Sequence, residues 1–411
     1  MTMTTPQEHA NNRPVFISRG KGLGGTSAIN FMYTSRPSKE EFDRLEELGN
    51  KGWNWESLLH YLKKSETLTP STLSAAERER FGVHTNVDFH GKNGPLQKKL
   101  GSVYSESFHA DVIATARNSN FSSNLDANAG DIVGISTGFF SIDANTGKRS
   151  YSASAYLYPN SSRPNLVVLT GAHVQKVVLQ EDSEDAKLQR ATGVEFIHDG
   201  VLVHVSVKKG VIVSAGTLGS PSVLEHSGIG NHELLSRLSI PTRVDLPGVG
   251  ENFQDHVMVF GIARTEKYET FDVLSDPEEL RKHNELYANK QGLLASIPGP
   301  AVGYMPARHF GTSEQVAIWQ EQLQDPANLV SPAVPESVTK GILKQYKMIG
   351  KTISDQTSVQ GEVAVAAAAL PTPYHVSVPG ERYVTAISFI GQPLSRGHVH
   401  IILQTLLHLQ D

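Results

Sequence analysis

Apolar positions recur at helical spacing early in the chain and give way to short β-branched runs after about residue 165. Ser38-Lys39-Glu40-Glu41 predicts a helix opened by a capping box, with Phe42, Leu45 and Leu48 on one face and Gly49 as the left-handed stop. A second helix is predicted from Asn54, because Trp55, Leu58, Leu59 and Leu62 keep the spacing of a buried stripe. Residues 88–95 are dense in turn formers, and Val103 to Arg117 again reads as helix. Strands are predicted at Leu166 to Leu169, His173 to Leu179, Gly193 to Ile197, Val201 to Val207 and Val211 to Ser214. Pro221 predicts the start of the helix that follows. From about Arg264 the pattern becomes more helical and polar, with strands expected again at Val384 to Ile390 and His398 to Leu403. Strands followed by helices predict an α/β fold.

Composition narrows the function classes. The chain has 411 residues, 39% of them apolar, and a formal charge of −5. A packed core is expected, and nucleic acid is not the expected partner, because that role needs a basic face. The longest apolar run, Val363 to Leu370, is far shorter than the roughly 20 residues of a membrane span. With no cysteine, disulfides, thiolate metal sites and cysteine nucleophiles are excluded. Residues 1–13 are polar and read as a leader without regular structure or a signal-type apolar stretch; location stays open. The sequons at Asn120 and Asn160 do not decide it.

Three motifs invite chemistry. Gly20-Lys21-Gly22-Leu23-Gly24-Gly25 satisfies the dinucleotide fingerprint, with Val15-Phe16-Ile17 before it and Glu40 and Glu41 about 20 residues on. The preceding strand is too short for that reading, yet four glycines in six residues imply a backbone held close to a ligand such as phosphate. Gly134-Ile135-Ser136-Thr137-Gly138 matches the nucleophile elbow of hydrolases, but strand-like residues follow where the elbow needs a helix. His398 and His400 share one face of a predicted strand, with no third metal ligand at an obvious spacing.

The segment from Arg19 to Asn30, Arg-Gly-Lys-Gly-Leu-Gly-Gly-Thr-Ser-Ala-Ile-Asn, resembles the first signature of the glucose–methanol–choline (GMC) oxidoreductases. Ser214 to Leu224 with Ser227-Gly228-Ile229-Gly230 resembles the second, and Leu246 to His256 the stretch that follows it. Gly147 to Leu157, Arg163 to Leu166, Gly171 to Val174 and Pro393 to Gly397 fit in family order.

The resemblance implies an FAD-binding region over 13–263, lacking the first strand-turn-helix, and a substrate-side α+β region over 264–411 that begins the family's C-terminal domain. It implies FAD as cofactor, with Gly24, Gly25, Thr26, Asn30, Phe31, Met32 and Tyr33 around the flavin and its phosphates and Val174 at the adenine. Ile29 stands where some members carry a tethering histidine, so FAD is expected to bind non-covalently. The implied reaction oxidises a small-molecule alcohol to a carbonyl by hydride transfer to flavin, in the manner of fungal secondary-metabolite enzymes. The family's catalytic histidine has no counterpart here, so no catalytic residue is assigned; His256 reads as capping or packing. The implied chain is truncated at both ends, so weak or no FAD retention and little catalysis are expected. The alternative is an inactive remnant that at most binds a ligand.

Overall fold

A computed structural model describes residues 2–102, 105–182, 185, 188–370, 372 and 375–402. The chain folds into two compact units, each discontinuous in sequence. The first comprises Met1–Leu166, His256–Gln320 and Lys351–Gln392; the second comprises Val167–Asp255, Glu321–Gly350 and Pro393–Asp411.

Among the described residues the first unit holds a two-stranded sheet near its start and two larger ones. One has five antiparallel strands in the order Met258–Arg264, Tyr383–Ile390, Gly361–Ala366, Ala301–Met305 and Gly134–Thr137. The other has four, in the order Tyr33–Thr34, Phe139–Phe140, Leu96–Leu100 and Glu66–Thr69, the last pair parallel. Val302 and Tyr304 of the larger sheet pack with Ala127, Ile132 and Val359, and Tyr33 lies against this cluster. The segment that leads from the glycine motif is therefore anchored in the core.

Local sequence explains the first helices. Ser38 Oγ accepts from the Glu41 amide at 3.2 Å and the Glu41 carboxylate accepts from the Ser38 amide at 2.7 Å, opening the helix Lys39–Glu47. Gly49, with φ of 118°, has the expected left-handed conformation. Phe42 is buried, but Leu45 is exposed. Asn54 caps the helix Trp55–Ser65, whose Trp55 is buried. The helix expected from Val103 runs Glu106–Asn118; Val103 itself lies outside the described residues.

The second unit carries a three-stranded antiparallel sheet, in the order Val201–Ser206, Gln189–His198 and His173–Glu181. The helix Gly216–His226 packs on it, with the amide of Val177 donating to Ser227 Oγ at 2.8 Å. Leu323, Ile342 and Tyr346 are fully buried in this unit.

Several expectations give way. Residues 166–169 and 211–214 form no strand, and Val167 and Ile212 stay 87% and 92% exposed. β-branched composition favours a pleated surface, but a strand exists only where a neighbour completes its ladder. The helix containing Pro221 begins earlier, at Gly216, and carries the proline inside it. The leader is not featureless: Thr2–Met3 pairs antiparallel with Phe16–Ile17. His398 to Ile402 is not a strand; Leu403 lies outside the described residues. The amide of Val399 donates to Gly250 at 2.7 Å, so a loop carbonyl takes the place of a sheet partner.

In this second unit the His400 ring lies between two carboxylates. Nδ1 is 2.6 Å from Glu225, Nε2 is 3.2 Å from Glu251, and Glu225 is fully buried. The Glu225 hydrogen bond, against the opposing effect of burial, raises the His400 pKa, and Glu251 adds to the rise. A raised imidazole pKa stabilises the fold fully below the unfolded value of about 6.5, and that stabilisation is lost as pH rises through the folded value. His400→Gln is expected to cost about 2 kcal/mol at about pH 6, as hydrogen bonds to charged groups do. The cost should shrink toward about pH 9, read from paired urea unfolding curves. A cost that stays constant with pH contradicts the assignment.

Candidate cofactor cleft

The glycine motif folds into a tight turn because its backbone does what side chains forbid. Gly24 has φ of 95° and Gly25 φ of 54°, and a short 3-10 turn, Gly25–Ala28, follows. A Cβ on Gly24 would lie 2.6 Å from the Tyr151 ring, whereas nothing lies within 4 Å of the corresponding point on Gly25. The turn is thus pressed against Tyr151 on one side and open on the other.

Hydroxyls and one guanidinium hold it. Ser27 Oγ donates to the Gly24 carbonyl at 2.5 Å and lies 2.8 Å from Ser152 Oγ. Ser152 Oγ also reaches the Gly24 carbonyl, at 2.9 Å. Arg149 donates to the Asn30 carbonyl and to Asn30 Oδ1, both at 2.7 Å. Asn30 Oδ1 accepts the Met32 amide too, and Thr26 Oγ1 accepts the Gly20 amide at 3.3 Å.

Beside this turn lies a cleft of about 470 Å³, lined by Gly24, Ser152, Tyr156, Asn160, Arg163 and Leu166 among others. The lining includes an arginine and no carboxylate. Asn160, the second sequon asparagine, faces this cleft, and its amide donates to the Tyr156 carbonyl at 2.8 Å.

The structure therefore brings Gly24, Gly25, Thr26 and Asn30 into one turn. Phe31 projects outward, 86% exposed, and Met32 sits at φ of 64°. Tyr33 is turned into the core, where it accepts a hydrogen bond from the Tyr304 hydroxyl at 3.1 Å. Burial pushes both phenols up, Tyr304 to about 12. Val174 belongs to the second unit, 38% exposed on the strand His173–Glu181. Ser136, by contrast, lies buried mid-strand opposite Val302, so the elbow motif presents no exposed nucleophile. His256 Nδ1 lies 2.7 Å from the Ile390 carbonyl.

A buried ionic cluster was not legible in the sequence. His90 has Nδ1 3.0 Å from Glu66 and Nε2 2.9 Å from Asp126. Arg36 and Lys98 donate to the two Glu66 oxygens at 3.0 and 3.2 Å. All five side chains are buried. Burial pushes Lys98 down to about 8 against the pull of Glu66. The one hint in the sequence is His90 within a stretch dense in turn formers.

The profile of the GMC oxidoreductase family matches residues 2–258. The chain is 32% identical to the dehydrogenase mpl7 of Monascus purpureus over 96% of its own length and 64% of that protein's. Over 62% of its length it is 37% identical to an oxygen-dependent choline dehydrogenase of Sinorhizobium fredii, covering 42% of that protein. Among solved structures, an FAD-dependent oxidoreductase from Chaetomium thermophilum superposes with a TM-score of 0.86 at 28% identity, covering 98% of this chain and 66% of the other. Among the described residues no helix is long and apolar enough to cross a membrane.

Proposed function

The chain belongs to the GMC oxidoreductase family, and we propose that it serves FAD-dependent oxidation of a small-molecule alcohol to a carbonyl. The reading is carried by the Gly24–Gly25 turn, closed on Tyr151 and open on the other side, beside the 470 Å³ cleft. These residues fit a flavin dinucleotide. Side-chain-free backbone lets a phosphate approach, and Arg163 offers positive charge with no carboxylate in the lining to oppose it.

On this reading Gly24, Gly25, Thr26 and Asn30 hold the cofactor through backbone and small polar groups, while Ser27, Ser152 and Arg149 keep the turn in shape. Exposed Phe31 and half-buried Met32 offer an apolar border to the flavin ring. Tyr33 acts from the core, fixing the segment's exit through its bond with Tyr304. FAD, when bound, supplies the two-electron acceptor for the alcohol. The likeness to a choline dehydrogenase supports alcohol oxidation; a secondary-metabolite alcohol is the substrate class we favour.

The test is to titrate the purified chain with FAD and follow flavin fluorescence and the visible band, then add a panel of primary and secondary alcohols without oxygen. Quenching of the flavin at high FAD concentration, followed by slow bleaching of its band with at least one alcohol, is the expected result. Absence of quenching at saturating FAD refutes the cofactor assignment; quenching without bleaching by any alcohol leaves only a binding protein.

A further inference from the structure

We propose that the pocket at the C-terminal end of the helix Trp55–Ser65 binds a small phosphate-bearing molecule. This cavity of about 390 Å³ shares no lining residue with the cofactor cleft and lies wholly in the first unit. Its size falls within the range of small-ligand pockets, roughly 300–1,000 Å³.

Charge is the first argument. Lys63, Lys64 and Lys92 line it against a single carboxylate, Asp88, on a chain whose formal charge is −5. A concentration of cations on an acidic protein focuses an anion locally. Lys63 is pinned, its ammonium donating to the Asp88 carbonyl at 2.7 Å. Lys64 and Lys92 are exposed and have no side-chain hydrogen bond or ion pair among the described residues.

Rigidity is the second. The loop carrying Lys92 is seated on the end of the helix with no spare room. A Cβ on Gly91 would fall 1.9 Å from the Lys63 carbonyl oxygen, and one on Gly94 2.2 Å from the Glu66 nitrogen. Behind it, His90 is tied to Glu66 and Asp126 in the buried cluster. The two walls thus keep their spacing before a ligand arrives, which lowers the ordering cost of binding.

The donors narrow the ligand. No arginine lines the pocket, so the planar bidentate fork, which suits carboxylate and phosphate alike, is missing. The lysine ammoniums act as point charges, the form in which lysine binds phosphate. His60 and Asn93 add polar groups at the rim. Asp88 and the helix C-terminus oppose the anion, so binding depends on the lysines and weakens with salt.

The probe is inorganic pyrophosphate, measured by calorimetry at low and high salt, with citrate as the carboxylate comparison. Wild type is expected to bind pyrophosphate more tightly than citrate, with affinity falling as salt rises. The double variant Lys64→Glu/Lys92→Glu, both at exposed positions, should bind about tenfold or more weakly. The double variant should keep the wild-type affinity for FAD. The proposal fails if wild type does not bind, if citrate binds better, or if the double variant binds pyrophosphate as wild type does; in that last case the anion sits outside this pocket and the flavin reading stands.

Discussion

Glu66→Gln is expected to remove about 3–5 kcal/mol of folding stability, the usual cost of breaking a buried ion pair from one side. Glu66 is 6% exposed and takes hydrogen bonds from Arg36, Lys98 and the Gly91 amide, with His90 against the same oxygen as Arg36. The amide that replaces the carboxylate turns an NH2 toward either Lys98 or Arg36 and leaves two buried cations facing Asp126 alone. Burial by itself would raise the Glu66 pKa. The His90 hydrogen bond and the charges of Lys98 and Arg36 outweigh it and hold the group at about 2, below the ordinary 4.5. A depressed carboxylate pKa stabilises the fold above the unfolded value and loses that contribution as pH falls through the folded one. Wild type should therefore weaken between pH 4.5 and about 2, by an amount the variant does not show. Urea unfolding across that window measures both effects. The double variant Glu66→Met/Lys98→Met should recover part of the loss, because removing both charges leaves less unpaired charge in the interior. A single-variant cost under about 1 kcal/mol would refute this account of the cluster.

Gly24→Val is expected to weaken FAD binding by about 100-fold, equivalent to roughly 2.7 kcal/mol. Two costs combine. A φ of 95° is strained for any residue with a Cβ, and the new atom would meet the Tyr151 ring at 2.6 Å. The turn must then move, and with it the serine bonds that shape the cleft edge. Gly25→Ala is the matched comparison: its φ is also positive, but nothing lies within 4 Å, so only the backbone cost applies. Circular dichroism establishes that each variant folds, and flavin fluorescence titration gives the affinities. Adding Tyr151→Ala to Gly24→Val makes room for the side chain and should recover part of the binding. Equal affinity in wild type and Gly24→Val would separate the turn from the cofactor and overturn its assigned role.

The Glu66 cluster shows why part of the architecture escaped a linear reading. Its members stand at positions 36, 66, 90, 98 and 126, two on strands and three on connecting segments. No periodicity links such positions, and each residue alone reads as an ordinary solvated charge. Tyr33 escaped in the opposite sense. Its neighbours in the motif point to a ligand, yet Tyr304, 271 residues away, draws its hydroxyl into the core.

Features set by a few neighbouring residues were readable from composition and order: the capped helices, the left-handed Gly49, the glycine turn and the family signatures. Their energies are local, because a cap bond or a positive φ depends on atoms within one turn of chain. Which β-branched runs became strands, where the Pro221 helix began and which charges were buried together were decided by tertiary packing. A strand needs a partner for its backbone groups, and an ion pair gains strength only when distant segments exclude water around it. Those conditions are met or missed by the fold as a whole: residues 193–197 are paired and residues 211–214 are not.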